Sequence, residues 1–343
     1  MFGWAATGLI LAALLKSRAL VRLQASVRGR VSSAWVAYGL CVVAVVLIVQ
    51  LLQIPATMIA QSLWPDGGAR ETTESLVAGV VPALLGGLPV ILVLQGVARI
   101  SPRRGWTSLA LAATAITLCI ILIPPVAMLP GARGDRPASG PEAARFLAFV
   151  QAGGLQAPRL NVFASKDPLS VDMEGLGPIR HAAVSQAAVE TPQPETFAAI
   201  GHLLGHYRHH DLWSLAALWS SLIAALLFCL FRFYAPLARR LGSDLPPTLS
   251  DPAALPLIGL MIWAFFLVAT PAFNVFDQAI NYRADDYAMG LTRDPDALCR
   301  WLIATEQASK ADPSAVEAVL FYDHPPLVAR LRNAMQWKVS HGL

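Results

Sequence analysis

The sequence has 343 residues, of which 55% are hydrophobic and only 14% are charged, and its mean hydropathy is +0.54. A soluble globular domain carries about 25% charged residues, so this composition excludes an ordinary soluble protein and indicates a chain built for a lipid bilayer. The net charge of +4 is small, and we expect the bilayer rather than a nucleic acid as a partner.

Long apolar stretches recur along the chain and predict membrane-spanning helices. Crossing the hydrocarbon core of a bilayer takes roughly 20 apolar residues in a helix. Five stretches reach this length, and a sixth, shorter stretch at 1–15 either spans at a tilt or lies in the interface. The short stretch lacks the features of a secretory signal peptide. The prediction is therefore five or six spans. The five longer stretches are residues 34–54, 78–98, 107–129, 213–233 and 255–276.

The placement of basic residues predicts how these spans are oriented. Three loops are rich in basic residues. The loop at 55–77, on the opposite side of the membrane, contains one basic residue, Arg70. Because short loops rich in lysine and arginine stay in the cytoplasm, the polar regions 130–212 and 277–343 are predicted to be extracytoplasmic, at a bacterial inner membrane. The three basic loops hold eleven basic residues: Lys16, Arg18, Arg22, Arg28, Arg30, Arg99, Arg103, Arg104, Arg232, Arg239 and Arg240.

The first polar region has the pattern of a small α+β domain. Periodicity predicts a helix at 141–150 and strands at 159–165 and 181–189, with a glycine-bearing turn at 174–177 between them. A new helix opens after Pro192 and is expected to run without a break into the fourth span.

The second polar region is predicted to be helical. The fifth span is expected to continue beyond the membrane through NVFDQAINYRADDYAMG, and Asp294-Pro295 then caps another helix. A last helix covers 327–337. The fold class predicted is a mainly α membrane protein with a small α+β domain on helices that protrude from the membrane. The predicted divisions are 1–129, 130–212, 213–276 and 277–343.

The stretch GHLLGHYRHHD, residues 201–211, places His202 and His206 on one helix face, at the spacing of a zinc-binding pair. Asn281 and Asp285 are also four apart, on the helix that leaves the neighbouring antiparallel span. At 1.5 Å per residue, His206 is predicted about 10 Å and Asn281 roughly 8 Å above the membrane edge, so the two pairs are expected at similar heights. Taken alone, the histidine spacing fits a solvated helix end as well as a metal site.

The order of the motifs resembles a known family over residues 141–335. GHLLGHYRHHD is followed by a span, a basic loop, a second span, NYRADDYA and finally DHPPLVARL. This resembles the membrane zinc endopeptidases of the CAAX prenyl endopeptidase and HtpX-like family, metallopeptidase family forty-eight. That family has HExxH on a helix entering a span and ExxxD on a helix leaving the next. A histidine-proline step follows, with an arginine six residues past the histidine.

The resemblance implies a role for each matching residue around the metal. His202 and His206 match the two zinc histidines, and Asn281 falls where the family has its third ligand, a glutamate. Asp285 matches the aspartate that orients a ligating histidine.

The resemblance also implies roles on the substrate side. His324 and Arg330 match a pair that lies beside the reacting carbonyl and would stabilise the oxyanion. The upstream strand pair resembles the family's substrate-side edge strand, although the usual Asn-Ala signature is not visible around 171–174.

Two departures from the family pattern affect the chemistry itself. Hydrolysis at zinc needs a metal-bound water that a carboxylate deprotonates, and Leu203 stands where the family has that general base. General-base assistance is worth about 100- to 10,000-fold in rate. Asn281 offers a neutral amide oxygen, which is a poor zinc ligand. Zinc binding is therefore predicted to be weak or absent.

Neighbouring residues offer little rescue for the lost groups. Asp285 could swing in as a ligand, and His209 or His210 could pair with His206. Glu195 lies two helix turns before His202, about 10 Å along the axis, which is too far for a base. None of these restores a carboxylate beside a metal-bound water.

Three functions follow from these observations. The leading hypothesis is a catalytically inactive membrane homologue, a pseudopeptidase that binds or regulates another membrane or periplasmic protein. The second is an active zinc endopeptidase with an atypical site. The third is a membrane scaffold in which the histidines have no metal role.

Overall fold

The computed structural model describes residues 2–63, 88–101, 103–127, 136–155, 159–175, 181–242, 245–246, 248–305 and 311–343. The chain divides into two compact units. The first is Met1–Thr114 with Ser221–Val268, and the second is Ala115–Ser220 with Ala269–Leu343.

Helices dominate the described residues. They are, in chain order, α1 (Phe2–Ser17), α2 (Ala19–Arg28), α3 (Ala34–Leu63), α4 (Leu88–Ile100), α5 (Gly105–Ala127), α6 (Pro141–Ala152), α7 (Gln186–Glu190), α8 (Pro194–Arg208), α9 (Asp211–Leu241), α10 (Leu255–Thr292), α11 (Pro295–Thr305), α12 (Ala315–Phe321) and α13 (Leu327–Ser340). The strands are β1 (Arg136–Pro137), β2 (Leu160–Phe163), β3 (Val171–Glu174) and β4 (His181–Ser185).

The predicted apolar stretches coincide with helices wherever the structure describes them. The first falls within α3, the third within α5 as far as Ala127, and the last two within α9 and α10. The second continues into α4, while its residues 78–87 lie outside the described residues. Within the described part of the chain, α9 and α10 are long and apolar enough to cross a membrane. The count of five or six spans stays a prediction, as do the predicted domain divisions.

In the first unit, helices pack through large apolar side chains. Leu230, Tyr234 and Leu257 are fully buried in one cluster, and the Tyr234 hydroxyl donates to the Pro246 carbonyl at 3.0 Å. A second cluster contains Tyr38 and Cys41.

The second unit contains a four-stranded sheet in the order β1-β2-β4-β3. β2 and β4 are parallel, whereas β1 and β3 pair antiparallel with their neighbours, which leaves β3 at an edge of the described sheet. One apolar cluster joins this sheet to α6 and α8 through Phe146, Val184 and Leu204. Phe146 also stacks on Phe197 with ring centroids 4.6 Å apart. The sheet thus fixes the position of α8, which carries the histidines.

The structure corrects the predicted strand at 181–189. The strand ends at Ser185, whose hydroxyl accepts a hydrogen bond from the Ala188 amide at 3.0 Å and so caps α7. A serine in extended conformation that accepts such a bond starts a helix. The segment 171–174, placed before the predicted turn, is the edge strand β3.

The prediction that one helix runs from Pro194 into the membrane span is wrong. α8 ends at Arg208, a turn follows at His209 and His210, and α9 begins at Asp211. His210 has a φ of +57°, in the left-handed region that stops a right-handed helix. The predicted height of His206 above the membrane edge assumed one continuous helix axis. The break between α8 and α9 removes that assumption.

The predicted continuation of the last span is confirmed. α10 runs unbroken from Leu255 to Thr292, and the next helix is capped by Asp294, whose Oδ1 accepts from the Ala297 amide at 2.9 Å. The helix α12 was not predicted, although Ser314 and Glu317 form a capping box at its start.

Small residues let α8 and α10 approach each other closely. A Cβ atom at Gly205 would lie 2.8 Å from the Cα of Ala284 and 3.0 Å from its carbonyl oxygen. A Cβ atom at Gly201 would lie 3.1 Å from the Cα of Ala288. Since both neighbouring groups are backbone, only glycine fits at this distance without a shift.

We expect Gly205→Ala to separate the two helices and to lower the free energy of unfolding by about 1–3 kcal/mol, the usual cost of overpacking. The measurement is thermal or denaturant unfolding of the purified protein in detergent. Gly290→Ala is the matched control, because nothing lies within 4 Å of its Cβ position and alanine favours a helix by up to ~1 kcal/mol. Equal effects of the two substitutions would contradict the packing argument.

Candidate functional site

The first histidine of the pair is held by a buried carboxylate. His202 Nδ1 lies 2.8 Å from Asp285 Oδ1, and both side chains are almost fully buried. Arg330 binds the same carboxylate with two hydrogen bonds, from Nε to Oδ2 at 2.8 Å and from Nη2 to Oδ1 at 2.7 Å. Because the buried guanidinium neutralises Asp285, the carboxylate stays ionised and fixes the histidine ring.

The second histidine is held in the same way by a residue that the sequence analysis did not single out. His206 Nδ1 lies 3.0 Å from Asp211 Oδ2, and the Asp211 side chain is only 2% exposed. Arg283 donates from Nη2 to the other oxygen, Oδ1, at 2.8 Å. The turn at His209 and His210 places Asp211 beside His206, since the chain must leave the axis of α8 for this contact.

The two imidazoles meet through their remaining nitrogens. His206 Nε2 lies 3.1 Å from His202 Nε2, and the rings are perpendicular. A carboxylate can only accept a hydrogen bond, so each Nδ1 carries the proton of its neutral ring and each Nε2 presents a lone pair. Burial lowers the pKa of both histidines, and the neighbouring His202 lowers that of His206 further. Two lone pairs that converge in this way repel each other unless a proton or a metal ion lies between them.

These two histidines fit half of a zinc site. Two zinc–nitrogen bonds of about 2.0–2.1 Å at a tetrahedral angle would separate the nitrogens by ~3.3 Å, close to the observed 3.1 Å. The orienting carboxylates are also those of a metal-binding histidine pair. Within the described residues, however, no group of three or more histidine, cysteine, aspartate or glutamate side chains could hold a metal ion.

Asn281 occupies the predicted third position but does not complete the set. It is buried, and its Nδ2 donates to the Asp277 carbonyl at 2.9 Å, one turn back along α10. The amide oxygen is the atom left to bind a ligand, and it carries no formal charge. Two imidazoles and one amide do not match the donor sets of catalytic zinc.

A cavity of about 480 Å³ lies beside the pair. Its polar wall includes His206, Asp211, Asn281 and two further side chains, Asp277 and His324. Leu212, Trp213 and Leu215 line its apolar wall, and Met173 of the edge strand β3 also reaches it. The cavity therefore joins the histidines, the sheet edge and the start of the apolar stretch of α9.

The two residues predicted on the substrate side lie in different surroundings, one at the cavity and the other in the buried interior. His324 is exposed and lines the cavity, with Nδ1 3.1 Å from Asp323 Oδ1 and 4.0 Å from Asp277 Oδ2. Arg330 is buried against Asp285 and is not among the described residues that line the cavity. Its guanidinium is used to hold Asp285.

Leu203 is half-buried and packs against the apolar cluster of the sheet. A hydrocarbon side chain in this position neither accepts a proton nor orients a water molecule. The residue predicted to stand in the general-base position thus contributes to the apolar core.

Two of the other candidates for rescue, Glu195 and His209, are engaged elsewhere. Glu195 is paired with Arg300 at the start of α8, and His209 lies edge-on to the Tyr287 ring at 6.1 Å. His210 lines the cavity from the turn before α9. Asp285 would have to leave both Arg330 and His202 in order to bind a metal ion.

Asp211 and Asp277 are the functional candidates that the sequence analysis missed. Asp211 is the last residue of GHLLGHYRHHD, so the sequence shows that it is near the histidines. Its contact with His206 depends on the break between α8 and α9. Asp277 lies one turn before Asn281 and therefore on the same face of α10. That spacing was the available signal for Asp277.

Comparison with known proteins gives a family match and similar solved structures. The family model described as Peptidase family M48 matches residues 145–338. The crystal structure of S. mikatae Ste24p is similar with a TM-score of 0.59 and 15% sequence identity, over 85% of this chain and 76% of that chain. At this identity the second match shows a shared fold. No curated protein matches the sequence.

We expect Arg330→Met to leave the Asp285 carboxylate buried without its cation. Breaking one partner of a buried ion pair costs about 3–5 kcal/mol, and unfolding of the purified protein in detergent measures it. Arg332→Met, an exposed arginine on the same helix, is the control and is expected to cost about 0–1 kcal/mol. A small effect at Arg330 would show that Asp285 does not depend on the guanidinium.

Proposed function

Because the chain belongs to peptidase family M48, we propose that it is an integral membrane homologue of these enzymes that has lost peptide hydrolysis. In this proposal the chain binds or regulates another membrane or periplasmic protein. The observation that carries the proposal is Leu203, which stands in the general-base position and packs into the apolar cluster of the sheet.

The proposed membrane location rests on composition and on two helices. Residues 212–231 of α9 and 255–276 of α10 contain no charged side chain, and each stretch is long enough to cross the hydrocarbon core. The eleven basic residues of the short loops favour the histidine site on the periplasmic side of a bacterial inner membrane.

Peptide binding without cleavage is supported by the sheet edge. β3 lies at an edge, where unpaired backbone groups can add a strand from another chain. The Tyr207 hydroxyl contacts the carbonyl oxygens of Met173 and Gly175 at 2.9 and 3.2 Å, which ties the end of β3 to α8. A peptide lying along β3 would pass the cavity beside the histidines, because Met173 belongs to both.

In this proposal zinc is held weakly or not at all. His202 and His206 would be its ligands, and zinc would supply a polarised water in an active relative. Here Asn281 leaves the charge of the ion uncompensated, and Leu203 leaves such a water without a base.

The decisive experiment restores both lost carboxylates in a Leu203→Glu, Asn281→Glu double variant. We expect the wild-type protein to bind little zinc and to leave casein intact. The double variant is expected to bind about one zinc per chain and to gain chelator-sensitive cleavage, since the base alone contributes about 100- to 10,000-fold. Elemental analysis and a casein assay measure the two effects.

The matched control is the Leu203→Gln, Asn281→Gln double variant, which has side chains of the same size without carboxylates. It is expected to remain inactive, and its unfolding temperature separates loss of folding from lack of chemistry. Chelator-sensitive cleavage by the wild type, lost in His202→Ala, would contradict the proposal.

A second candidate function, an active peptidase with an atypical site, is favoured by Asp277. This carboxylate is buried, lines the cavity with His206, and lies 4.0 Å from His324. In this alternative, Asp277 accepts the proton of the attacking water in place of the missing glutamate.

Asp277→Asn tests this alternative with a nearly isosteric change. If Asp277 were the base, any cleavage by the wild type would fall by about 100-fold or more. Asp286→Asn is the control, since Asp286 is bound by Asn333 and is not among the described cavity-lining residues. On the leading proposal, neither variant differs from an inactive wild type in the casein assay.

A further inference from the structure

The short helix α12 exposes an apolar surface in the second unit. Val316 is 69% exposed, Phe321 46%, Leu320 39% and Val319 36%, whereas Ala318 is buried. Val316, Val319 and Leu320 lie three and four positions apart, so they share one face of the helix. Four large apolar side chains on one short helix are more than scattered surface residues require.

Hydrogen bonds fix α12 to a defined level of α10. Asn274 Nδ2 donates to the Val319 carbonyl at 2.9 Å. Gln278 Nε2 donates to the carbonyl oxygens of Ala318 and Tyr322 at 3.1 and 2.7 Å. These bonds satisfy carbonyl groups at the end of α12 and bind the helix to one turn of α10.

That turn of α10 is the end of its charge-free stretch. No charged residue occurs between 255 and 276, and Asp277 is the first to follow. On α9 the corresponding boundary is Asp211, followed by Trp213, which is 51% exposed. Asp211, Trp213 and Asp277 line one cavity, so the two boundaries lie side by side. Tryptophan is enriched where a span meets the lipid headgroups.

The sequence around α12 identifies the kind of surface it fits. No lysine or arginine occurs from Ala311 to Ala329, so attraction to anionic groups is not the driving force. Glu317, the one charged residue of the helix, takes part in the capping box. The large apolar side chains of α12 are exposed, and the helix lies at the level where the charge-free stretches of α9 and α10 end. Such a helix fits the boundary between lipid headgroups and acyl chains.

We propose that α12 is an interfacial helix whose exposed apolar side chains enter the outer part of the lipid bilayer. The inference goes beyond the proposed function but rests on its membrane location. Asp323 to Pro326 follow α12 directly, so lipid contact would hold His324 at the membrane end of the cavity. A peptide that reaches the cavity would then be a segment close to the bilayer.

The test uses the full chain in nanodiscs of phosphatidylcholine, with the four native cysteines replaced by alanine. Val316→Cys or Leu320→Cys carries a bimane label, and a lipid with a doxyl group near the headgroup serves as quencher. Val275→Cys, at an exposed position of α10, is the positive control.

Arg145→Cys is the negative control. Arg145 is exposed and lies over the Phe197 ring, which is about 16 Å along α8 from the helix end next to Asp211. We expect the Val316 and Leu320 labels to lose as much fluorescence as the Val275 label, and the Arg145 label to lose none. Adding phosphatidylglycerol or salt should leave this pattern unchanged.

Two other outcomes would overturn the lipid contact of α12, and a third would overturn the membrane location. Quenching at Val275 but not at Val316 or Leu320, with strong quenching of both by aqueous iodide, would show that α12 faces water. Labels on α12 shielded from both quenchers would show a protein partner or a second copy there. Absence of lipid quenching at Val275 as well would overturn the membrane location and with it both proposals.

Discussion

The close packing of α8 against α10 is the constraint on which the site depends. Gly201 and Gly205 face the backbone of Ala288 and Ala284, so the two helix axes approach more closely than any larger residue would permit. At this distance one imidazole and one carboxylate, each projecting from its own helix, meet at 2.8 Å. A longer separation would leave the buried Asp285 with the arginine alone and His202 without orientation.

The site is a continuous series of six interacting side chains, with the two imidazoles at its centre and an ion pair at each end. From one end to the other it runs through Arg330, Asp285, His202, His206, Asp211 and Arg283. Each carboxylate is neutralised by an arginine and fixes one histidine tautomer, so the two lone pairs converge without a net negative charge around them. This arrangement keeps the orientation of a metal-binding histidine pair. In the proposed function, Leu203 and Asn281 replace the base and the third ligand of a peptidase.

The cavity connects these hydrogen-bonded side chains to the places on α9 and α10 where charged residues give way to apolar ones. Asp211 and Asp277 mark the ends of the charge-free stretches, and both belong to its wall. On one side it meets the edge strand β3, and on another the apolar start of α9. An extended peptide near a membrane is the ligand that we propose for this combination.

The sequence by itself determined the long apolar helices, the histidine pair and its partner Asp285, because helical periodicity is local and family motifs preserve spacing. It also predicted that the general base is lost at Leu203 and that Asn281 replaces the third ligand. Only the tertiary structure decided that α8 breaks before Asp211, that Arg330 serves Asp285 and that Asp277 enters the cavity. Those features depend on contacts between residues far apart in the chain. A left-handed residue at His210 or an arginine reaching across 45 positions to Asp285 leaves no periodic pattern for a local analysis to detect.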